Sequence, residues 1–208
     1  MILTERQSDS LSELINIAFS RTGAALSELT GQRVLLSPPS VAIHRTVDLP
    51  KALAVFIPGE VASIHQVFAG PVGGDALLLL NHAGAMELTN LLVDEPAATP
   101  YLDESAREVL TEVGNILLNV CLGMFGNLLH VHVSFSVPRL HLESLEALVA
   151  SLITDENDRR YALVVATAFR VRDSAVSGFL IMALSVASLD RLLREVDAWE
   201  GRQGYSDL

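Results

Sequence analysis

Two stretches of this chain, ninety-nine residues apart, carry the same sparse pattern. The first reads Asp9-Ser-Leu-Ser-Glu13-Leu-Ile-Asn16 and reaches Pro39 twenty-three positions after the Asn. The second reads Glu108-Val-Leu-Thr-Glu112-Val-Gly-Asn115 and reaches Pro138 at the same distance. Such a repeat constrains the chain to a fold with two equivalent places for a helix that leads into a proline-broken segment. Residues three, four and seven apart share one helix face, because a turn takes ~3.6 residues. Asp9, Glu13 and Asn16 therefore form one polar stripe, and Glu108, Glu112 and Asn115 another.

Apolar residues surround each stripe: Leu11, Leu14, Ile15 and Ile17 in one helix, Val109, Leu110, Val113 and Ile116 in the other. Both helices are thus amphipathic. Ser10-x-x-Glu13 and Ser105-x-x-Glu108 also fit capping boxes, in which a Glu satisfies a backbone N–H at a helix start. That reading leaves Glu112 and both Asn without a role. A mid-helix Asn costs roughly 0.5–0.7 kcal/mol relative to Ala, and each helix carries this cost at the matching place.

The 208 residues are 50% hydrophobic and 19% charged, enough to bury a core and too apolar for disorder. The net charge is −11 and no Lys/Arg-rich run occurs, which argues against nucleic acid and against an anionic membrane surface. The N-terminus lacks a basic start followed by an apolar run, so no signal peptide is expected, and a cytoplasmic location is. Val113 to Pro138 is free of charge but is broken by Asn, Gly and His, and reads as a helix followed by a strand. The single cysteine, Cys121, reads as a buried small hydrophobe. His130-x-His132 would place both rings on one face of a strand, but no third metal ligand accompanies them. His44, His65, His82 and His141 are scattered, and Gly70-Pro-Val-Gly-Gly74 lacks the Lys-Ser/Thr of a phosphate loop and reads as a turn.

Read for elements, the chain predicts a helix over 8–30, strands over 33–36, 41–47 and 52–57, a hairpin over 61–69 and 75–81, and a helix over 83–93. Asp94 to Pro100 reads as a linker. The order then recurs: a helix over 104–129, strands over 130–136 and 138–142, a helix over 143–152, a turn at Asp155–Asp158, a hairpin over 161–171 and 176–185, a helix over 186–200, and a polar tail. This predicts an α/β (α+β) fold: one pseudo-two-fold domain built from repeats 1–98 and 99–208. Its sheet is largely antiparallel, flanked by helices, with the two motif helices exposed.

The repeated pattern resembles the signature of the CheC/CheX/FliY family, chemotaxis phosphatases that act on a phosphorylated response regulator. That signature is Asp or Ser, three residues, Glu, two residues, Asn, twenty-two residues, Pro. Asp9, Glu13, Asn16 and Pro39 match it in full; Glu112, Asn115 and Pro138 match, with Glu108 where Asp or Ser is expected. The two copies look most like CheC, and no segment resembles the flagellar-switch domain of FliY. The resemblance implies that Asn16 and Asn115 each orient a water for attack on an aspartyl phosphate. Glu13 and Glu112 would meet the lysine beside the regulator's phospho-Asp, and Pro39 and Pro138 would shape the start of a strand. Phe19 places bulk close behind Asn16. Mg²⁺ would be carried by the CheY-like regulator, and this chain would need no cofactor of its own. The alternative is a non-catalytic module that docks a response regulator or a CheD-like deamidase.

Overall fold

The computed structural model describes residues 3–31, 33–54, 56–57, 59–92, 101–153, 160–171 and 174–203. Two long hairpins form its centre. β3 (Glu60–Ala69) pairs with β4 (Gly74–Asn81), and β7 (Arg160–Val171) pairs with β8 (Ser174–Ser185). The hairpins join through β4 and β8, with Leu78 opposite Leu180. On the outer side of β3 lie β5 (Ser134–Phe135) and β6 (Arg139–Ser144); on the outer side of β7 lie β1 (Val34–Leu36) and β2 (Ser40–Arg45). Among the described residues, all eight strands pair antiparallel in one sheet.

The register is that of a two-fold. Ser40 stands opposite Ala166 as Arg139 stands opposite His65. The repeats exchange their outer strands: β1 and β2 of the first lie on β7 of the second, and β5 and β6 of the second lie on β3 of the first.

Both faces of the sheet are covered, and the strands show it. Leu77, Leu78, Leu79 and Leu80 are all buried, because successive side chains point to opposite faces and each face meets a core. Leu78 and Leu80 join the larger core, beneath α1 (Glu5–Thr30), α3 (His82–Leu92), α4 (Glu104–Leu129) and α6 (Val186–Gln203). Leu77 and Leu79 join the smaller core, beneath α2 (Leu49–Leu53) and α5 (Leu145–Leu152). α4 has the length and hydropathy to cross a membrane, but half of its most apolar window is buried, and it packs on α1, α3 and β3.

Several local expectations change. The strand expected over 52–57 is not formed by its described residues: residues 52 and 53 end α2, and residues 54, 56 and 57 lead out of it. Leu49, Leu53 and Ile57, four apart, bury together, and Pro50 sits in the first turn of α2, where its missing N–H costs nothing. The strand expected from His130 shrinks to Ser134–Phe135. His130 instead ends α4 in the left-handed conformation, φ 58°, with its N–H on the Asn127 carbonyl. His130 and His132 therefore share no strand. The helix starts also move. Thr4 caps α1 in a capping box with Gln7, and the Asp103 carboxylate caps α4 by accepting from the Ala106 N–H at 2.8 Å. Ser10 and Ser105 are not caps, which removes the capping explanation for Glu13 and Glu108. Ser144 caps α5, so Glu143 lies in β6. α6 runs on to Gln203. The expected linker Asp94–Pro100, the turn Asp155–Asp158, Arg172–Asp173 and the tail from Gly204 fall outside the described residues.

Candidate functional site

On α1 the buried face is Leu11, Leu14, Ile15 and Ala18, each at most 1% exposed. The 3.6-residue turn puts Asp9, Glu13 and Asn16 on the opposite side, and all three are exposed. Phe19 is buried with the same core as Leu11 and Leu14, so its bulk does not stand beside Asn16 at the surface. Among the described residues no side chain hydrogen-bonds to the Asn16 amide. One turn on, the Ser20 hydroxyl donates to the Asn16 backbone carbonyl at 3.0 Å.

On α4, Glu108 and Glu112 are exposed and Asn115 is half-buried. Asn115 has company that Asn16 lacks. Asn119 Nδ2 donates to Asn115 Oδ1 at 2.6 Å. Gln66 Nε2, from β3, donates to Asn119 Oδ1 at 3.1 Å and to the Ser136 carbonyl at 2.8 Å. Gln66 is 1% exposed. α4 comes down onto β3 at Gly114, where a Cβ would lie 2.6 Å from Ile64 Cγ2. The first copy has Ile15 at the position of Gly114.

The two prolines stand in matching places. Pro39 follows β1 and immediately precedes β2; Pro138 follows β5 and immediately precedes β6. A residue without an N–H interrupts a strand ladder. At each interruption a side chain from the neighbouring strand takes up a carbonyl just before the proline. Thr167 Oγ1 donates to Ser37 O at 3.0 Å, as Gln66 donates to Ser136 O.

Other candidates do not join these sites. Cys121 is buried, and burial pushes its thiol up to about 12, away from nucleophilic use near neutral pH. His65 Nε2 and Asp75 Oδ1 are 2.9 Å apart on the other face of the sheet. Among the described residues no group of three or more His, Cys, Asp or Glu is placed to hold a metal ion. Sequence reasoning missed the surroundings of Asn115: Asn119, Gln66 and Gly114. Asn119, four residues beyond Asn115 on the same helix face, was the visible signal.

No family model matches the chain. In sequence it is 25% identical over 142 residues to the flagellar motor switch phosphatase FliY of Bacillus subtilis, across 67% of this chain and 36% of that protein. The chain thus spans about a third of the length of that relative. In structure it resembles FliY of Thermotoga maritima, with a TM-score of 0.77 at 18% identity, covering 96% of this chain and 100% of the other. It also resembles the middle domain of FliM from H. pylori, with a TM-score of 0.65 at 13% identity, covering 93% and 99%. A CheC-like superfamily protein from Shewanella shares the fold with a TM-score of 0.52 at 12% identity, covering 82% of this chain and 96% of the other, below the 0.77 of FliY, so the expected special likeness to CheC is not confirmed. The chain is therefore a sequence relative of a flagellar motor switch phosphatase, and its antiparallel sheet flanked by helices is the fold of FliY.

Proposed function

We propose that this protein hydrolyses the aspartyl phosphate of a phosphorylated CheY-like response regulator in bacterial chemotaxis, in the cytoplasm. The observation that carries the reading is the placement of two Glu–Asn pairs. Each pair lies on the outward stripe of a long helix, and each is matched by a proline at the start of a strand, in a chain related to a named phosphatase. An aspartyl phosphate is already an activated acyl phosphate, so hydrolysis is chiefly positioning and electrostatics. Asn16 and Asn115 each hydrogen-bond a water without competing as nucleophiles. The water oxygen bonds to phosphorus as the bond from phosphorus to the regulator's Asp oxygen breaks. The regulator's carboxylate leaves, inorganic phosphate forms, and the water's proton passes to phosphate or solvent. Glu13 and Glu112 dock against the regulator's lysine, and the regulator brings the Mg²⁺.

The fold alone does not choose between this and a non-catalytic docking module, since FliM's middle domain shares it. The motif favours catalysis, and the relatives reported give no support to a deamidase partner. The test is phosphate release from a phosphorylated regulator. Wild type accelerates it, and Asn16→Ala with Asn115→Ala abolishes the acceleration. Binding of the regulator with no shortening of its phosphate lifetime establishes the docking module instead.

A further inference from the structure

The two amides are not equivalent, and a hydrogen-bond relay makes them so. A backbone carbonyl can only accept. Ser136 O therefore fixes which end of the Gln66 amide faces it: the NH₂. That same Nε2 donates its second hydrogen to Asn119, so the end of the Asn119 amide facing Gln66 is its oxygen. The Asn119 NH₂ is then left to face Asn115 Oδ1. Amide orientation, which is otherwise ambiguous, is dictated here from the backbone outward.

We infer that Asn119, oriented by Gln66, is a positioning residue for Asn115, and that the second site is preorganised while the first is not. The inference rests on the phosphatase reading above. Asn115 Oδ1 is held by one donor and keeps a second lone pair, and among the described residues nothing accepts from its Nδ2, which can serve a ligand. A rotamer fixed this way is not ordered again at each encounter. The first copy cannot build the relay. Ser20 stands where Asn119 does, and its hydroxyl is spent on the Asn16 backbone. Thr167 stands where Gln66 does, and its single donor is spent on Ser37 O. Ser136 has a part in this: its hydroxyl accepts from the Val67 N–H at 3.0 Å, which leaves its carbonyl for Gln66.

The experiment uses Asn119→Asp, which keeps the side-chain shape but cannot donate to Asn115. With Asn16→Ala already present, so that only the second site works, kcat for phosphate release falls on the order of ten- to a hundred-fold. KM for the phosphorylated regulator stays within about two-fold, because docking is untouched. With Asn115→Ala present instead, nothing remains to position, and Asn119→Asp makes no further difference. An unchanged kcat in the first background, or an equal loss in both, overturns the inference while leaving the phosphatase reading standing. A wild type with no activity removes that reading, and the positioning role of Asn119 in catalysis with it. The relay has its own readout in the free protein. The Asn115 side-chain ¹⁵NH₂ group has a higher NMR order parameter than that of Asn16, and Asn119→Asp lowers it. Equal mobility of the two amides in wild type overturns the relay whatever the activity.

Discussion

Gly114 of α4 rests against Ile64 of β3, with room for a hydrogen and none for a methyl group: a Cβ there would lie 2.6 Å from Ile64 Cγ2. The residue after this glycine is Asn115, so the contact sets the depth at which Asn115 sits over the sheet. Gly114→Ala is expected to destabilise the protein by about 1–3 kcal/mol through overpacking, despite the better helix propensity of Ala. Adding Ile64→Ala opens the space, and the pair is expected to lose less than the two single changes together. Urea unfolding of the four proteins in the cycle measures this; strict additivity would mean the contact is not the cause.

The helix starts separate a cap from a bystander. Asp103→Ala removes the acceptor of the Ala106 N–H and is expected to cost about 1 kcal/mol. Ser105→Ala, one position into the helix, is expected to change stability by less than about 0.5 kcal/mol. Chemical denaturation compares them directly, and a reversed order would return Ser105 to the capping role.

Glu112 is exposed on α4 and, on the function proposed, meets a lysine of the regulator. Glu112→Lys with Asn16→Ala is expected to raise KM for the phosphorylated regulator about three- to ten-fold, with the difference from Glu112 shrinking as salt screens the charges. Steady-state phosphate release at two ionic strengths tests it. Unchanged kinetics would take Glu112 out of the site.

Cys121 gives a pH dependence with a definite sign. Its folded-state value is raised from 9.0 to about 12 by burial, so the unfolded chain loses the proton first. Its contribution to stability is fully present below pH 9 and is lost as pH rises from there towards 12. Cys121→Ala is expected to flatten that part of the stability curve. The native thiol is expected to resist a thiol reagent at pH 8 and to react once the chain is unfolded; fast labelling of the native protein would contradict its burial.

The residues show why some of this was legible in the sequence and some was not. The α4 span, Glu104–Leu129, could be read from its apolar period, and the exposure of Asp9, Glu13, Asn16, Glu108 and Glu112 followed from helix geometry. The hairpins announced themselves by β-rich runs around Gly70–Gly74 and before Ser174. Residues 52–57 misled because Val55, Phe56 and Ile57 look like a strand, while the four-residue spacing of Leu49, Leu53 and Ile57 carries the truer signal. The second site's support was half visible. Asn119 lies one turn from Asn115, but Gln66 reaches it only because the fold brings together residues 53 apart in sequence. Nothing local marks Gln66 as different from any other glutamine in a strand.

The exchange of outer strands ties the stability of the two halves together. Neither half closes its own sheet: β7 depends on β1 and β2, and β3 depends on β5 and β6. Damage to the packing of one half therefore strips the other of its border as well, so a lesion in one repeat is expected to loosen the helix that the opposite repeat supports.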